Sequence, residues 1–350
     1  MLESNLIPSS PRLDIALAAN QSAAGFVFDD YVRRKATNTV KNQRVDLASF
    51  AIYLDEVGIA TNADALQGEP SAWLNISWGI IAGFVQWALK SGYSTGTISR
   101  RLSTIKSYAA LALQAGAISS DEYTRIRTVR AYVGKEADRI DQRRKDSDIP
   151  TRKGPKKAEN VEISDEHAAA LKDRPMTPQG RRDRLLICLL LDHGLRVGEV
   201  ALLSLKSFAV KKGYMHFYRP KVDLWQTHKL SDDTRKALAD YQSNADTVKG
   251  EALFSEDMPL LRRSVRNKEL YLRGYTERAI QHRVSAIGES IGLFDLSPHD
   301  CRHYWATKTA QMVEDGKISL LRLQEAGGWN SLNMPRRYVE RAKISNKGIV

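Results

Sequence analysis

Residues 185–203 read LLICLLLDHGLRVGEVALL, and this run sets the architecture of the second half of the chain. Residues 185–191 are all apolar, which predicts a helix that is buried on every side. His193-Gly194 predicts its end, since glycine readily adopts the left-handed conformation that follows many helices. Arg196 and Glu199 come directly before another apolar run, so we do not expect them on an ordinary surface. Two interpretations of Arg196 stay open: an ion pair with Glu199, or a phosphate-binding group whose guanidinium donates two parallel hydrogen bonds.

The rest of the second half is predicted to be mostly helical, with a small antiparallel sheet. Ser164 is a candidate N-cap, and Pro298 stands at a helix start, where proline is tolerated. Alternation of side chains predicts two short strands, 214–219 and 223–230, joined by a turn near Pro220. The predicted helices cover residues 165–171, 181–192, 232–241, 276–291, 299–315, 320–326 and about 333–341.

The first half carries only helical signals. Apolar residues recur at helical intervals over 38–54, 73–89 and 98–113, and Ser94 is among the candidate N-cap residues for the last of these. No strand signal interrupts residues 24–133, which predicts a small all-helical bundle. Residues 1–20 show little periodicity and are predicted to be a flexible arm. The predicted fold class is therefore mainly α, in two domains.

Composition restricts the class of protein. No apolar run approaches the roughly 20 residues that span a bilayer, and the N-terminus lacks a signal-peptide pattern, so we expect a cytoplasmic protein without a membrane partner. Cys188 and Cys301 make no disulfide framework, and no His/Cys cluster has metal-ligand spacing, so no metal or cofactor is expected. The net charge of +12 favours a nucleic-acid partner, although charge alone does not separate this from a merely basic soluble protein.

Residues 138–162 are rich in basic residues, proline and glycine, and almost free of apolar side chains. They predict a basic linker between the two domains. The linker is either a solvated spacer or a segment that runs along DNA phosphates, and its repeated positive charge favours the second interpretation. Basic candidates for DNA contact, in this segment and in the bundle, are Arg100, Arg101, Lys106, Arg143, Arg144, Lys145, Lys153, Lys156 and Lys157.

Five further residues have side chains suited to chemistry on phosphate. His299 and Arg302 are three apart, which places them on one face near a helix N-terminus, where anions are favoured. Trp329 can only donate a hydrogen bond, and Tyr338 can be a nucleophile if a proton acceptor or a positive field lies beside it. Lys221 falls in the predicted hairpin turn. Taken singly, each is more often a packing or surface residue.

Taken together and in order, these residues resemble the tyrosine recombinases, or phage integrase family. The matching motifs are Gly194-Leu195-Arg196-Val197-Gly198-Glu199, His299-Asp300-Cys301-Arg302-His303 and Ala326-Gly327-Gly328-Trp329, with Tyr338 nine residues later and Lys221 in the hairpin turn. Many members carry histidine where Trp329 stands, so the site is a Cre-like tryptophan variant. The resemblance implies an N-terminal core-binding domain (21–137) after the arm (1–20), and a catalytic domain (163–350) after the linker (138–162).

The resemblance also implies a mechanism and partners. Tyr338 would attack a DNA phosphodiester and form a 3′-phosphotyrosine, with Arg196 and Arg302 on the phosphate oxygens. His299 would assist proton transfer from Tyr338, Trp329 would donate a hydrogen bond to the phosphate, Lys221 would protonate the leaving 5′ oxygen, and Glu199 would support the arginines. The partners would be double-stranded DNA carrying a specific site, bound by a homo-tetramer, with no metal and no ATP. The host would be a prokaryote, a phage or a mobile element, with the protein in the nucleoid.

Two alternative functions remain from the sequence. A type IB topoisomerase relaxes DNA with nearly the same residues, and a catalytically silent relative would be a DNA-binding regulator. The core-binding-like half and the Trp329 motif favour recombination over relaxation. All catalytic positions are filled, which argues against the silent regulator.

Overall fold

The structure is a computed structural model of the whole chain, and it describes residues 11–153, 160–243, 257–264 and 270–343. The chain divides into two compact units, residues 1–157 and residues 158–350. Each unit has its own hydrophobic core. The mainly helical, two-domain fold class is thereby confirmed.

The first unit is an all-helical bundle over the part that is described. Its core contains the fully buried Phe50, Trp73, Phe84 and Tyr108, whose rings lie against one another. A short 3-10 helix, Pro70–Trp73, leads towards the fourth α-helix. The helices are α1 (Pro11–Arg33), α2 (Thr37–Glu56), α3 (Ala63–Gly68), α4 (Trp78–Lys90), α5 (Thr95–Gln114), α6 (Ser120–Thr128) and α7 (Gly134–Asp146).

The three helices predicted in this unit are present, with ends set by local chemistry. Ser94 caps α5 as expected, since its hydroxyl accepts a hydrogen bond from the Thr97 backbone N–H. The predicted helix over 73–89 begins later, at Trp78, because the Ser77 hydroxyl caps the helix there.

Two predictions at the ends of this unit are corrected. Residues 11–20, predicted to belong to a flexible arm, form the first part of α1, while residues 1–10 lie outside the described part. Residues 138–146, predicted as linker, belong to α7, because Glu, Gln, Lys and Arg are strong helix formers and need no buried face to favour a helix. An acidic first turn and a basic last turn complement the dipole of α7.

The second unit is built around α9, whose leucines 185, 186, 189 and 190 are fully buried. Helices α8, α11 and α13 pack against it. The helices are α8 (Asp165–Lys172), α9 (Pro178–His193), α10 (Val197–Ala201), α11 (Asp232–Gln242), α12 (Glu277–Glu289), α13 (Pro298–Glu314), α14 (Leu320–Gly327) and α15 (Asn333–Ala342), with 3-10 turns at Leu205–Ser207 and Val210–Lys212.

The predicted hairpin is present as strands β2 (Tyr214–Arg219) and β3 (Leu224–Lys229). They pair antiparallel from Tyr214 opposite Lys229 to Arg219 opposite Leu224. A short strand β1 (Phe208–Ala209) adds to the other edge of β2, giving the sheet order β1-β2-β3.

Strands β4 (Arg262–Ser264) and β5 (Leu270–Gly274), and the short helix α10, were not predicted. These elements are too short to show a clear period. Across the described ranges, no helix combines the length and the apolar character that crossing a membrane requires.

Candidate active site

Gly194 fixes the direction in which the chain leaves α9. Its φ of 59° is left-handed, and an added Cβ would lie 2.3 Å from the Trp305 indole, so only glycine fits this turn. The turn places Arg196 at the N-cap of α10. The Arg196 backbone N–H donates to the Glu199 carboxylate at 2.9 Å, which ties the arginine to the first turn of that helix.

Glu199 is the counterion of two arginines. Its side chain is 2% exposed and accepts a hydrogen bond from Arg196 Nη1 at 2.8 Å. Arg219 Nη1, at the end of β2, also donates to both Glu199 oxygens at 2.9 and 3.0 Å. The ion pair between Arg196 and Glu199 that the sequence allowed is therefore present. The Arg196 side chain stays 23% exposed, so it is also accessible to an anion.

The sequence Gly327-Gly328-Trp329, here called the glycine turn, is where the arginines converge. Arg196 Nη2 donates to the Gly328 carbonyl at 3.0 Å. Arg219 donates to the Ala326 carbonyl at 2.7 Å, and Arg302 donates to the Gly327 carbonyl. Gly328 is left-handed, with φ 57°, and turns the backbone so that these carbonyls face the guanidiniums. The arginine cluster is defined as Arg196, Arg219 and Arg302.

Arg302 is the most enclosed cation of the predicted catalytic set. It is buried, donates to the Gly194 carbonyl, and its guanidinium lies 5.0 Å from the centre of the Trp329 ring. Burial lowers the pKa of Arg302 to about 9, with Arg196 and Arg219 adding repulsion and Glu199 opposing it. Arg302 is therefore a charged group at neutral pH, held in a desolvated position where its field on a bound anion is strong.

Tyr338 lies on α15 within a small apolar cluster that includes Trp305 and Leu323. The residue is 6% exposed, and its ring centre is 5.7 Å from that of Trp329. Burial raises the pKa of the Tyr338 phenol, while Arg302 and Arg341 act to lower it. Pro335, three residues earlier, is buried within the first turn of the same helix.

The hydrogen-bond partner of Tyr338 is a residue that the sequence analysis did not assign. The resemblance implied that His299 assists proton transfer from Tyr338, whereas the Tyr338 hydroxyl lies 2.8 Å from His303 Nδ1. His303 Nε2 lies 3.0 Å from His299 Nε2, so His299 is joined to the tyrosine through His303. His299 itself is exposed in the first turn of α13.

Lys221 lies exposed in the turn between β2 and β3, as the sequence predicted. Within the described ranges, no hydrogen bond or ion pair joins it to the arginine cluster. Arg219, two residues before it, anchors the turn end of the hairpin to Glu199 and to the backbone before the glycine turn. The hairpin therefore carries Lys221 on a strand whose end is fixed to the site.

The basic candidates for DNA contact differ in their surroundings. Arg101 and Arg144 are buried: Arg101 stacks over Tyr93, and Arg144 donates to Asp141 at 3.0 Å and to the Pro150 carbonyl. Lys106 donates to the carbonyls of Arg127 and Val129. These three have intramolecular roles, which leaves them less suited to phosphate contact. Arg100, which pairs with Asp46, is exposed, as are Arg143, Lys145 and Lys153, while Lys156 and Lys157 lie outside the described residues.

Two residues of the site were missed from the sequence. Arg219 is fully buried in a strand, and only its alternation with exposed neighbours on β2 indicated that it points inward. His303 was quoted in a motif, but its position four residues after His299 on one helical face was not used. In the described parts of the chain, no group of three or more His, Cys, Asp or Glu side chains could hold a metal ion.

The chain is similar to curated bacterial recombinases along most of its length. It is 24% identical over 324 residues to tyrosine recombinase XerD of Listeria innocua, covering 90% of this chain and 91% of the relative. It is 24% identical over 308 residues to tyrosine recombinase XerC of Roseiflexus sp., covering 87% and 84%. With XerD of Pseudomonas aeruginosa it shares 26% identity over 275 residues, covering 78% and 77%.

Solved structures share the fold. The Tn1549 transposon integrase, in complex with transposon right end DNA, matches with a TM-score of 0.59 at 13% identity, covering 91% of this chain and 97% of that one. A lambda integrase dimer bound to a core site matches with a TM-score of 0.55 at 14% identity, covering 89% and 94%.

Two family models match the chain. The phage integrase N-terminal SAM-like domain matches residues 28–116, within the helical bundle. The phage integrase family model matches residues 161–344, which is more than half of the chain and includes every residue of the predicted catalytic set. The chain therefore belongs to the phage integrase family, the tyrosine-type site-specific recombinases.

Proposed function

We propose that this chain cuts and rejoins DNA at a specific site through a covalent bond between Tyr338 and the DNA 3′ phosphate. The observation that carries the proposal is the placement of Tyr338. Its hydroxyl is hydrogen-bonded to a histidine at 2.8 Å, and its ring lies against Trp329, which also lies beside the buried Arg302. The closeness of a tyrosine hydroxyl, a histidine and a guanidinium supports roles for them as nucleophile, proton acceptor and anion-binding cation.

The reaction begins with attack of the Tyr338 oxygen on phosphorus. The bond from phosphorus to the 5′ oxygen breaks, leaving a 3′-phosphotyrosine and a free 5′-hydroxyl. A 5′-hydroxyl of a second strand then attacks the phosphotyrosine, and Tyr338 leaves. The covalent bond conserves the energy of the phosphodiester, so the proposal includes neither a metal ion nor ATP.

Arg196 and Arg302 are proposed to bind the non-bridging phosphate oxygens. Each is anchored by one or two backbone carbonyls, which hold the guanidinium in place without neutralising it. Such groups stabilise the negative charge that grows in the transition state, and they do so without reorganising during the reaction. Glu199 is proposed to orient Arg196.

Three further contacts to the phosphate and its leaving oxygen are proposed, from Trp329, Lys221 and His299. The Trp329 indole can donate one hydrogen bond to an oxygen and cannot carry a proton away. The exposed Lys221 is proposed to reach into the DNA and protonate the 5′ oxygen as it leaves. His299, exposed at the N-terminus of α13, is proposed to contact the phosphate there.

The proposed partner is double-stranded DNA. The net charge of +12 and the exposed basic residues of α7 support this, as do two similar solved structures, which are complexes with DNA. We propose residues 21–137 as a core-binding domain, 138–162 as a basic segment that begins within α7 and leads to the second domain, and 163–350 as the catalytic domain. The active form is proposed to be a tetramer on two DNA sites.

Covalent capture tests the chemistry. Duplexes tiled across the DNA that flanks the gene, each carrying one nick, trap the covalent complex when the short 5′-hydroxyl fragment beside the nick diffuses away. We expect a protein–DNA band that resists detergent with the unmodified chain and with Tyr214→Phe, a control at an exposed tyrosine on β2. Tyr338→Phe should abolish the band while retaining DNA binding. A band that persists in Tyr338→Phe would show that another residue is the nucleophile.

A second assay separates recombination from relaxation. The captured site is placed twice in one plasmid and once in a matched plasmid of equal length. Recombination predicts deletion or inversion products only from the first plasmid. Relaxation of both plasmids at equal rates, without new joints, would instead indicate a topoisomerase.

A further inference from the structure

We propose that His303 is the general base of the cleavage step, taking the proton of Tyr338, and that His299 is the next proton acceptor in line. This inference rests on the proposed function of Tyr338. It makes His303, a residue outside the predicted catalytic set, the acceptor of the Tyr338 proton.

The contact with the nucleophile carries the argument. The distance of 2.8 Å from the Tyr338 hydroxyl to His303 Nδ1 is within the range over which a proton is transferred directly. The two residues are 35 positions apart, on α13 and α15, so the contact is tertiary and not a consequence of helix geometry. A general base must first satisfy this geometric condition, and His303 satisfies it before DNA is bound.

The contact between His303 and His299 gives the proton a route towards solvent. His303 Nε2 and His299 Nε2 are 3.0 Å apart, and the two rings meet edge to face with centres 4.4 Å apart. When Nδ1 of His303 accepts from the phenol, its Nε2 carries the proton and donates to His299 Nε2. Because His299 is exposed, the pair forms a chain from the buried phenol towards solvent.

The electrostatic surroundings keep the base neutral. Burial lowers the pKa of His303, and His299, Arg341 and Arg302 act in the same direction, while Asp300 opposes them. Asp165, Tyr304 and Lys308 line the same pocket, and the Asp165 carboxylate is already engaged by the other two at 2.7 Å. At neutral pH His303 is therefore able to accept a proton, whereas burial disfavours ionisation of the phenol without a base.

The proposed step is balanced. The Tyr338 O–H bond breaks and its proton moves to His303 Nδ1, while the tyrosine oxygen forms a bond to phosphorus. The bond to the 5′ oxygen breaks, and that oxygen receives a proton from Lys221. His303 gains one proton and Lys221 loses one, so the protein as a whole keeps its charge. In the rejoining step the imidazolium returns the proton to the departing tyrosine.

The test compares two leaving groups under single-turnover conditions. One nicked duplex carries the ordinary 5′ oxygen at the captured site, and the other carries a 5′ sulfur, which leaves without being protonated. His303→Gln keeps a hydrogen-bonding side chain but cannot take a proton. We expect it to slow covalent complex formation by about 10²–10⁴-fold on both substrates. Lys221→Ala should form the covalent complex slowly on the duplex with the 5′ oxygen. On the duplex with the 5′ sulfur its rate should return to that of the unmodified chain.

Three controls complete the design. His282→Gln alters an exposed histidine on α12 and should react as the unmodified chain does. Far-ultraviolet circular dichroism and DNA affinity establish that His303→Gln is folded and binds. The rate of the unmodified chain should level off once His303 is neutral, whereas the rate of His303→Gln should keep rising about tenfold per pH unit as the phenol itself ionises.

The outcomes separate the two proposals. A His303→Gln rate within threefold of the unmodified chain, or full rescue of that variant by sulfur, would overturn the role of His303 and leave that of Tyr338 intact. A covalent complex that does not depend on Tyr338 would instead remove the proposed function.

Discussion

Replacing Glu199 by glutamine removes the carboxylate shared by Arg196 and Arg219 without changing the shape of the side chain. Glu199 is 2% exposed and accepts three hydrogen bonds of 2.8 to 3.0 Å from the two guanidiniums. Removing one partner of a buried ion pair costs about 3–5 kcal/mol, because the remaining charge stays buried. The free energy of unfolding of a domain is about 5–15 kcal/mol, so the loss is a large share of it.

Thermal unfolding measures the loss. For a domain of this size the expected fall in Tm is about 6–20 °C, at about 2–4 °C for each kcal/mol. Sulfate should restore part of the lost stability, because an anion in the phosphate position replaces the carboxylate as counterion of the arginines. An anion at 100 times its Kd stabilises by about 2.7 kcal/mol, and the gain grows as Kd falls. We therefore expect sulfate to raise the Tm of Glu199→Gln by more than that of the unmodified chain.

The matched control is Glu289→Gln, at an exposed glutamate on α12. Its Tm should equal that of the unmodified chain, and sulfate should raise both by the same amount. A change in Tm below about 2 °C in Glu199→Gln would mean that the carboxylate contributes little to the cluster. An equal sulfate response in both variants would mean that the anion does not bind beside Arg196.

Three further predictions concern a close approach at Gly328, the buried His193 and two exposed basic residues of α7. Gly328→Ala would place a Cβ 2.6 Å from the Arg219 Cδ at φ 57°, so urea unfolding should show a loss of about 1–3 kcal/mol and covalent capture should slow. Burial lowers the pKa of His193 to about 4, so it is neutral in the folded chain and charged in the unfolded chain between about pH 6.5 and 4. Stability should fall by about 3 kcal/mol as the pH drops through that window, and His193→Gln should remove this part of the pH dependence in urea titrations. Arg143→Gln and Lys145→Gln on α7 should each weaken DNA binding and reduce its salt slope by about one, measured by fluorescence anisotropy across salt concentrations.

Local rules predicted the elements that position the site. The apolar run of α9, the left-handed Gly194 and the cap residue Ser94 each depend on neighbours within one or two helical turns, and each was found where it was predicted. The hairpin of β2 and β3 was also predicted, because its alternation and its turn are adjacent in the chain.

The missed features depend on distant partners. Arg219 donates to the Gly327 carbonyl, 108 residues away, and His303 reaches Tyr338 across 35 residues. No local pattern states which buried arginine meets which carbonyl, because that is decided by how α13, α14 and α15 pack. The role of His299 in proton transfer came from the family resemblance, and the order of motifs does not distinguish a direct contact from one that passes through a second ring.

The charge of the arginine cluster suits a transition state better than a ground state. Arg196, Arg219 and Arg302 together with Glu199 leave two positive charges, while the carbonyls of the glycine turn orient the guanidiniums without neutralising them. A phosphodiester carries one negative charge, and the five-coordinate state reached when a phenolate adds to it carries two. Binding energy that increases along the reaction raises the rate, whereas equal binding of both states does not. Glu199→Gln would leave three positive charges, so it should bind ground-state DNA more tightly at low salt while gaining little in cleavage rate. If the cleavage rate rose by the same factor as the DNA affinity, this account of the carboxylate would be contradicted.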